Sequence, residues 1–143
     1  MGAGRLTVIK PVLRVLLAVA YAFAGYAHLM RPDPFLTITP DWVPFPQEVV
    51  FWTGIAEIAG AIGLIQPVSK PLRQAAGIGL ALYALLVWPA NINHFAMDMA
   101  REDSGLGLGY HIPRMILQPI LIWLALWVAD APMPWGRKKP PTR

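Results

Sequence analysis

Apolar positions gather into four long blocks, about residues 8–29, 48–65, 72–95 and 113–128, separated by short polar stretches rich in proline. A helix of about 20 apolar residues crosses the hydrocarbon core of a bilayer. In that solvent the backbone must satisfy its own hydrogen bonds, so each block reads as a transmembrane helix. Proline marks the boundaries: Pro32, Pro34, Pro40, Pro44 and Pro46 fall in the first loop, Pro67 and Pro71 in the second, and Pro132, Pro134, Pro140 and Pro141 in the tail. Pro11 opens the first block, where a missing N–H is no loss. Pro89 and Pro119 lie inside predicted helices, where each removes a backbone hydrogen bond and bends the rod. The pattern predicts an all-α transmembrane four-helix bundle, a single integral membrane domain over residues 1–143 with a basic tail from 130 to 143. The first loop, about 30–47, is too long and proline-rich for a tight turn and is the expected lid.

Composition sharpens this picture. Of 143 residues, 56% are apolar and 14% charged, with mean hydropathy +0.48; a soluble domain carries about 25% charged residues. The four spans leave only short loops and tails, so chemistry must sit inside the bundle or on a partner. The absence of cysteine excludes thiolate catalysis, a disulfide relay and Cys-ligated zinc or iron–sulfur clusters. The first block resembles a signal peptide, with Arg5 and Lys10 ahead of an apolar run and alanines at 20, 22 and 24, but its length suits a retained span.

The net charge of +4 points to lipid head groups and not to nucleic acid, because the cations stand in termini and loops beside apolar blocks. Nine of them (Arg5, Lys10, Arg14, Lys70, Arg73, Arg137, Lys138, Lys139 and Arg143) fall on one side, against Arg31, Arg101 and Arg114 on the other. The positive-inside rule then makes both termini cytoplasmic. The outer loops receive Asp33, Asp41, Glu48, Asp98, Glu102 and Asp103. Trp42, Phe45, Phe51 and Trp52 at the outer edge, with Trp127 and Trp135 at the inner edge, fit the two aromatic belts of a spanning protein. The tail cations read as an anchor for anionic lipid.

Polar residues within the spans carry the candidate chemistry. Glu57 lies about nine residues, or ~13 Å, below the outer end of the second span. An ionisable group at that depth costs at least ~2.5 kcal/mol on insertion scales and is a functional candidate for that reason. Thr53, Gly54, Gly60 and Ala61 stand three or four residues from it, so it shares a face with small side chains that let helices approach. Arg14, Ala18, Tyr21, Gly25 and His28 form a second stripe at spacings of four and three, which points His28 inward. Asn91 and His94 share a face above Pro89, whose ring leaves the Leu85 carbonyl without its donor. Arg114 and Gln118 share a face of the fourth span. His28, Asn91, Arg114 and Gln118 all fall in the outer half, with Glu57 at the floor.

Two readings of this cluster stay open. In one, Glu57 pairs with Arg114 or His28, Asn91 and Gln118 hydrogen-bond across helices, and the network fixes helix register. In the other it lines a pocket open to the outer face, where Arg114 and His28 hold the oxygens of a quinone or small anion, Asn91 and Gln118 set the geometry and Glu57 accepts or relays a proton. The histidines 28, 94 and 111 with methionines 30, 97, 99 and 115 on the outer side suit copper(I) by ligand type, but their spacing matches no ligand motif, and no metal site is assigned.

His28 followed by Pro32, Pro34, Phe35, Ile38, Pro40, Pro44 and Pro46, then Gly54, Glu57 and Gly60, Arg73, Pro89-Ala90-Asn91-Ile92, and finally Arg114, Gln118 and Trp123 resembles the DoxX-like family of small four-span bacterial membrane proteins. The resemblance covers about residues 15–128. It implies a bundle in the bacterial cytoplasmic (inner) membrane, with His28, Glu57, Asn91, Arg114 and Gln118 as shared polar positions. Relatives include the small membrane subunit of a thiosulfate:quinone oxidoreductase and a maturation protein for methylamine dehydrogenase. The leading expectation is therefore a membrane component of a quinone-linked redox system, with the bilayer, a quinone and a redox partner protein as its partners. The alternative is a non-catalytic scaffold or assembly factor whose polar cluster is structural. A solute carrier is disfavoured, since one polar cluster in four spans offers no inverted pair of broken helices. The small-residue faces serve packing within one chain or between copies of an oligomer equally well.

Overall fold

Prolines and polar caps set where the helices begin. In the computed structural model, which describes residues 3–132 with side chains from Val8 onward, the order is α1 (Ala3–Met30), α2 (Asp33–Ile38), α3 (Pro46–Ile65), α4 (Lys70–Met99) and α5 (Leu108–Val128). Pro34 lies in the first turn of α2 and Pro46 opens α3, as suits residues without an N–H to lose. Phe45 turns the chain into α3 with φ of 50°. Ser69 caps α4 by accepting from the Leu72 amide at 3.3 Å, and Gln66 clamps the α3–α4 turn by donating to the Ser69 carbonyl at 2.7 Å and accepting from its amide at 2.8 Å. The C-terminal end of α5 hands on to Asp130 at φ 59°.

All four long helices are long and apolar enough to cross a membrane, so the chain is a multi-pass membrane protein. Helix α1 packs chiefly on α3, α3 on α4 and α4 on α5, while α5 touches α1 more lightly. That closes a four-helix ring. Its inward core is built from Leu17, Ala18, Ala61, Leu64, Leu80 and Ala125. Large apolar side chains such as Val19, Phe23, Leu86 and Ile116 face outward, the arrangement lipid favours.

Close approach of α1 and α3 depends on glycine. A Cβ on Gly25 would sit 2.6 Å from the Gly54 carbonyl oxygen, and one on Gly54 would sit 2.8 Å from the His28 Cβ. The small-residue stripe around Glu57 therefore does what its spacing predicted, and brings α1 against α3 at that level.

Three expectations need correction. The spans read as 48–65, 72–95 and 113–128 extend as helices to Pro46–Ile65, Lys70–Met99 and Leu108–Val128: Pro46 and the Ser69 cap set the starts of α3 and α4, and the Asp98–His111 contact holds the facing ends of α4 and α5. The first loop contains a helix, α2, which its prolines concealed. Asp98, expected in an outer loop, lies in the last turn of α4 and is buried. The basic tail cations at 137, 138, 139 and 143, Trp135 and the Arg5 side chain lie outside the described residues.

Candidate functional site

The facing surfaces of α4 and α5 carry complementary polar stripes. Asn91, His94 and Asp98 follow one another by three and four along α4, and His111, Arg114 and Gln118 do the same along α5. Because the helices run antiparallel, the stripes meet rung by rung. Asn91 Nδ2 donates to Gln118 Oε1 at 3.1 Å, an Arg114 N–H donates to His94 Nδ1 at 2.9 Å, and His111 Nε2 lies 2.9 Å from Asp98 Oδ2. Arg114 adds a second bond to Asn91 Oδ1 at 2.6 Å. Gln118 also donates to the Ala84 carbonyl on α4.

At the end of this ladder nearest the third loop, Asp98 Oδ2 accepts from the Leu106 amide at 2.9 Å, and His94 Nε2 stands 3.6 Å from it. The nearest ligand atoms of His94, Asp98 and His111 lie within 4.8 Å of one another, a grouping that could hold a cation. Proton placement argues otherwise. A guanidinium only donates, so the Arg114 contact makes Nδ1 of His94 the acceptor and puts its proton on Nε2, facing Asp98. A metal there would need that nitrogen's lone pair. As arranged, Asp98 bonds to His111 and to the Leu106 amide with His94 beside it, a polar cluster that anchors the third loop. Beyond it, Arg101 chelates Asp103 with two bonds of 2.9 Å, which together with the Gly105 amide holds that exposed carboxyl down at about 2.

A cavity of about 340 Å³ opens inside the ring, mostly apolar and reached by residues from α1 to α5. The first loop covers it: Phe35, Thr39, Pro40, Trp42 and Val43 contribute to the wall. Asn93 Nδ2 ties α2 down through the Ile38 carbonyl at 3.0 Å. The five predicted residues His28, Glu57, Asn91, Arg114 and Gln118 all line this space, although they form two groups and not one. Asn91, Arg114 and Gln118 belong to the α4–α5 ladder. Glu57 and His28 stand together on the α1–α3 side.

Of the two partners expected for Glu57, Arg114 and His28, the side chains bring His28 to it. Among the described residues the ion-pair neighbour of Glu57 within 4.0 Å is His28, with Nδ1 at 3.8 Å from Oε2. The ladder explains the difference, since Asn91 and His94 supply acceptors to Arg114. Thr53 donates its only proton to the Val50 carbonyl at 2.8 Å, so its oxygen accepts from His28 Nδ1 at 3.1 Å. That leaves His28 Nε2 as the nitrogen with a lone pair. The ring is pressed by Phe35 at 3.7 Å between centroids.

Glu57 is only 3% exposed, and its Oε2 has no hydrogen-bond partner. Tyr21, 7% exposed, likewise has an unpartnered hydroxyl. Both residues line the cavity. Tyr83 also lines the cavity and meets Tyr21 edge to face at 6.2 Å. Buried polar atoms are rarely left unpaired, because each costs roughly 1–3 kcal/mol. Here two such atoms belong to residues that line one apolar chamber.

Sequence reasoning missed Tyr21, Tyr83, Thr53 and Asp98 as site residues. Tyr21 stands in the stripe that pointed to His28, and Thr53 was read only as a small neighbour. The three-four repeat of Asn91, His94 and Asp98, matched by that of His111, Arg114 and Gln118, was a usable signal for the ladder. A family model described as "Domain of unknown function (DUF8561)" matches residues 17–129. Neither the curated proteins nor the solved structures gave a match.

Proposed function

Since the chain belongs to that family of unknown function, we propose from its own geometry that it binds a quinone-like head group in the cavity, as the membrane component of a quinone-linked redox system. The observation that carries this reading is the pair of unpartnered buried groups, Glu57 Oε2 and the Tyr21 hydroxyl, in two residues that line an apolar chamber. Ligand pockets have this character: apolar walls of about 300–1,000 Å³ with a few polar groups at fixed positions. The resemblance to the DoxX-like family supports the same direction, and with it a bacterial inner membrane with both termini cytoplasmic, as the positive-inside count requires.

The residues divide the work. Tyr21 offers a phenolic proton to a carbonyl oxygen. Glu57 and His28, 3.8 Å apart, hold an exchangeable proton beside the chamber and deliver it or receive it according to the direction of the reaction. Arg114 turns two of its five N–H groups to the ladder and keeps others for an oxygen at the opposite wall. Phe35, Trp42 and the rest of the first loop exclude water. A bound quinone would supply two-electron, two-proton chemistry, with electrons drawn from the redox centre of a partner protein.

The test is a titration of the purified full-length protein with a short-tailed benzoquinone, read by quenching of tryptophan fluorescence, since Trp42 lines the cavity. Glu57→Gln and Tyr21→Phe keep shape and remove one bond each. Each should weaken binding about tenfold, corresponding to about 1.4 kcal/mol. Equal affinity in all three proteins would overturn the reading. The scaffold alternative draws on a different observation, that Asn91, Arg114 and Gln118 already satisfy one another. It predicts that neither substitution alters quinone binding, while disruption of the ladder loosens the bundle.

A further inference from the structure

At the opposite end of the bundle from the outer loops, three cations surround one acid. Lys10 pairs with Asp130, Arg14 Nη2 stands 3.3 Å from it and Arg73 Nη2 stands 3.8 Å away. Arg14 also caps α5 by donating from Nε to the Val128 carbonyl at 2.7 Å, and Gln74 does so at the Asp130 carbonyl at 2.6 Å. The helix end is therefore already satisfied, and one carboxylate faces three fixed positive charges. Arg73 contributes least to this internal pairing. Its Nε is buried with no partner, and at 3.8 Å its nearest contact to Asp130 is an ion pair without a hydrogen bond. Side chains of the three cations keep 17–25% of their surface open.

The surroundings identify the missing anion. Lys10 sits over the Trp127 ring at 5.2 Å, and Trp127 stacks on Trp123 at 5.5 Å, the amphipathic aromatic setting of a membrane interface. Exposed Val8, Val12, Leu72 and Trp123 flank the cluster, so an anion that enters it also meets apolar surface. A guanidinium fork matches two oxygens of a phosphate. We propose that Lys10, Arg14 and Arg73 bind the phosphate of an anionic phospholipid whose acyl chains run along α1 and α4. The cluster lies apart from the cavity, and the proposal stands whether or not the chamber takes a quinone.

The experiment uses full-length protein in zwitterionic nanodiscs titrated with phosphatidylglycerol, with bound lipid counted by native mass spectrometry. Arg73→Gln should weaken retention about fivefold, the effect of one cation at the membrane surface. Asp130→Asn removes the internal competitor and should strengthen retention. Both differences should persist in a background with Arg137, Lys138, Lys139 and Arg143 changed to glutamine, which removes the tail as the source. A photoactivatable phosphatidylglycerol on the unmutated protein reads the site without any substitution, and its crosslinks should fall near the start of α1 or of α4. Equal retention by all variants, crosslinks elsewhere, or equal protection by inorganic phosphate without lipid would overturn the proposal.

Discussion

Replacing Gly25 with alanine tests how the candidate site is held together. The new Cβ would lie 2.6 Å from the Gly54 carbonyl oxygen, 2.8 Å from Ile58 Cγ1 and 3.1 Å from Glu57 Cβ. Two of these three contacts are to backbone or to an atom next to it, so neither can swing aside. Ordinary contact begins near 3.4 Å, and α1 and α3 must part by about 0.8 Å to reach it. Overpacking of this kind costs about 1–3 kcal/mol, and it moves His28 away from Glu57 and Thr53. Gly79→Ala is the internal control: it lies within α4 with nothing within 4 Å of the added carbon. There the better helix propensity of alanine should leave stability unchanged or raise it by up to about 1 kcal/mol. Reversible unfolding in mixed detergent micelles, followed by circular dichroism, measures both. Only Gly25→Ala should lose stability; a Gly25→Ala protein as stable as Gly79→Ala would refute the claim that α1 and α3 touch at backbone level beside the site.

Other consequences follow from the same contacts. Gln118→Leu removes the donor to the Ala84 carbonyl and the acceptor for Asn91, and should cost about 0.6–2 kcal/mol, the range for interhelical polar contacts in membranes, in the same unfolding assay. Asp98→Asn leaves one acceptor oxygen where Leu106, His94 and His111 now converge, so hydrogen exchange at the amides of 101–107 should speed up while that of α1 and α3 stays unchanged. Asn93→Ala frees the Ile38 carbonyl and should make α2 exchange faster and admit a quinone more quickly. Asp103 has a carboxyl held down at about 2 by Arg101, so its contribution to loop order is complete above the usual carboxylate value and is lost as pH falls from about 4 through about 2. Exchange or proteolysis of the third loop should follow that window, and Arg101→Gln should raise it toward the ordinary range. At Asp130, burial pushes the carboxyl up, but the Lys10 hydrogen bond and the charges of Lys10, Arg14 and Arg73 together outweigh it and hold it down. Its ion pairs therefore persist above the ordinary carboxylate value and fail only at lower pH.

How far these elements were legible depends on the kind of information each required. The four spans and the burial of Glu57 and His28 rest on local periodicity: every third or fourth residue shares a face, and Gly54, Gly60 and Ala61 advertise a close helix contact beside Glu57. Burial of Ala18, Tyr21 and His28 along one line of α1 came from the same arithmetic. Pairing between helices did not, because register is set by loop length and packing. Nothing near Arg114 in the sequence says that His94 will take its bond and leave Glu57 to His28. Asp98 was assigned to a loop because an isolated acid after an apolar block usually ends a span; what keeps it helical and buried is His111, 13 residues later and across the bundle. Helix α2 hid among prolines because they suggest irregular chain, although Pro34 in a first turn favours a helix. The cavity itself required three dimensions: Tyr83 reads as an ordinary member of an apolar run, and the stripe that buries Tyr21 does not say that its hydroxyl lacks a partner.

The central claim is that the chamber beside Glu57 and Tyr21 is a ligand site. Photolabelling of the full-length protein with a short-tailed azidoquinone, followed by mapping of the modified residues, addresses it most directly. Labels should concentrate on cavity-lining segments of α1 and α3 around Tyr21, His28 and Thr53, and should be displaced by unlabelled quinone. Labels spread over the outward faces of the helices, insensitive to competitor, would contradict it.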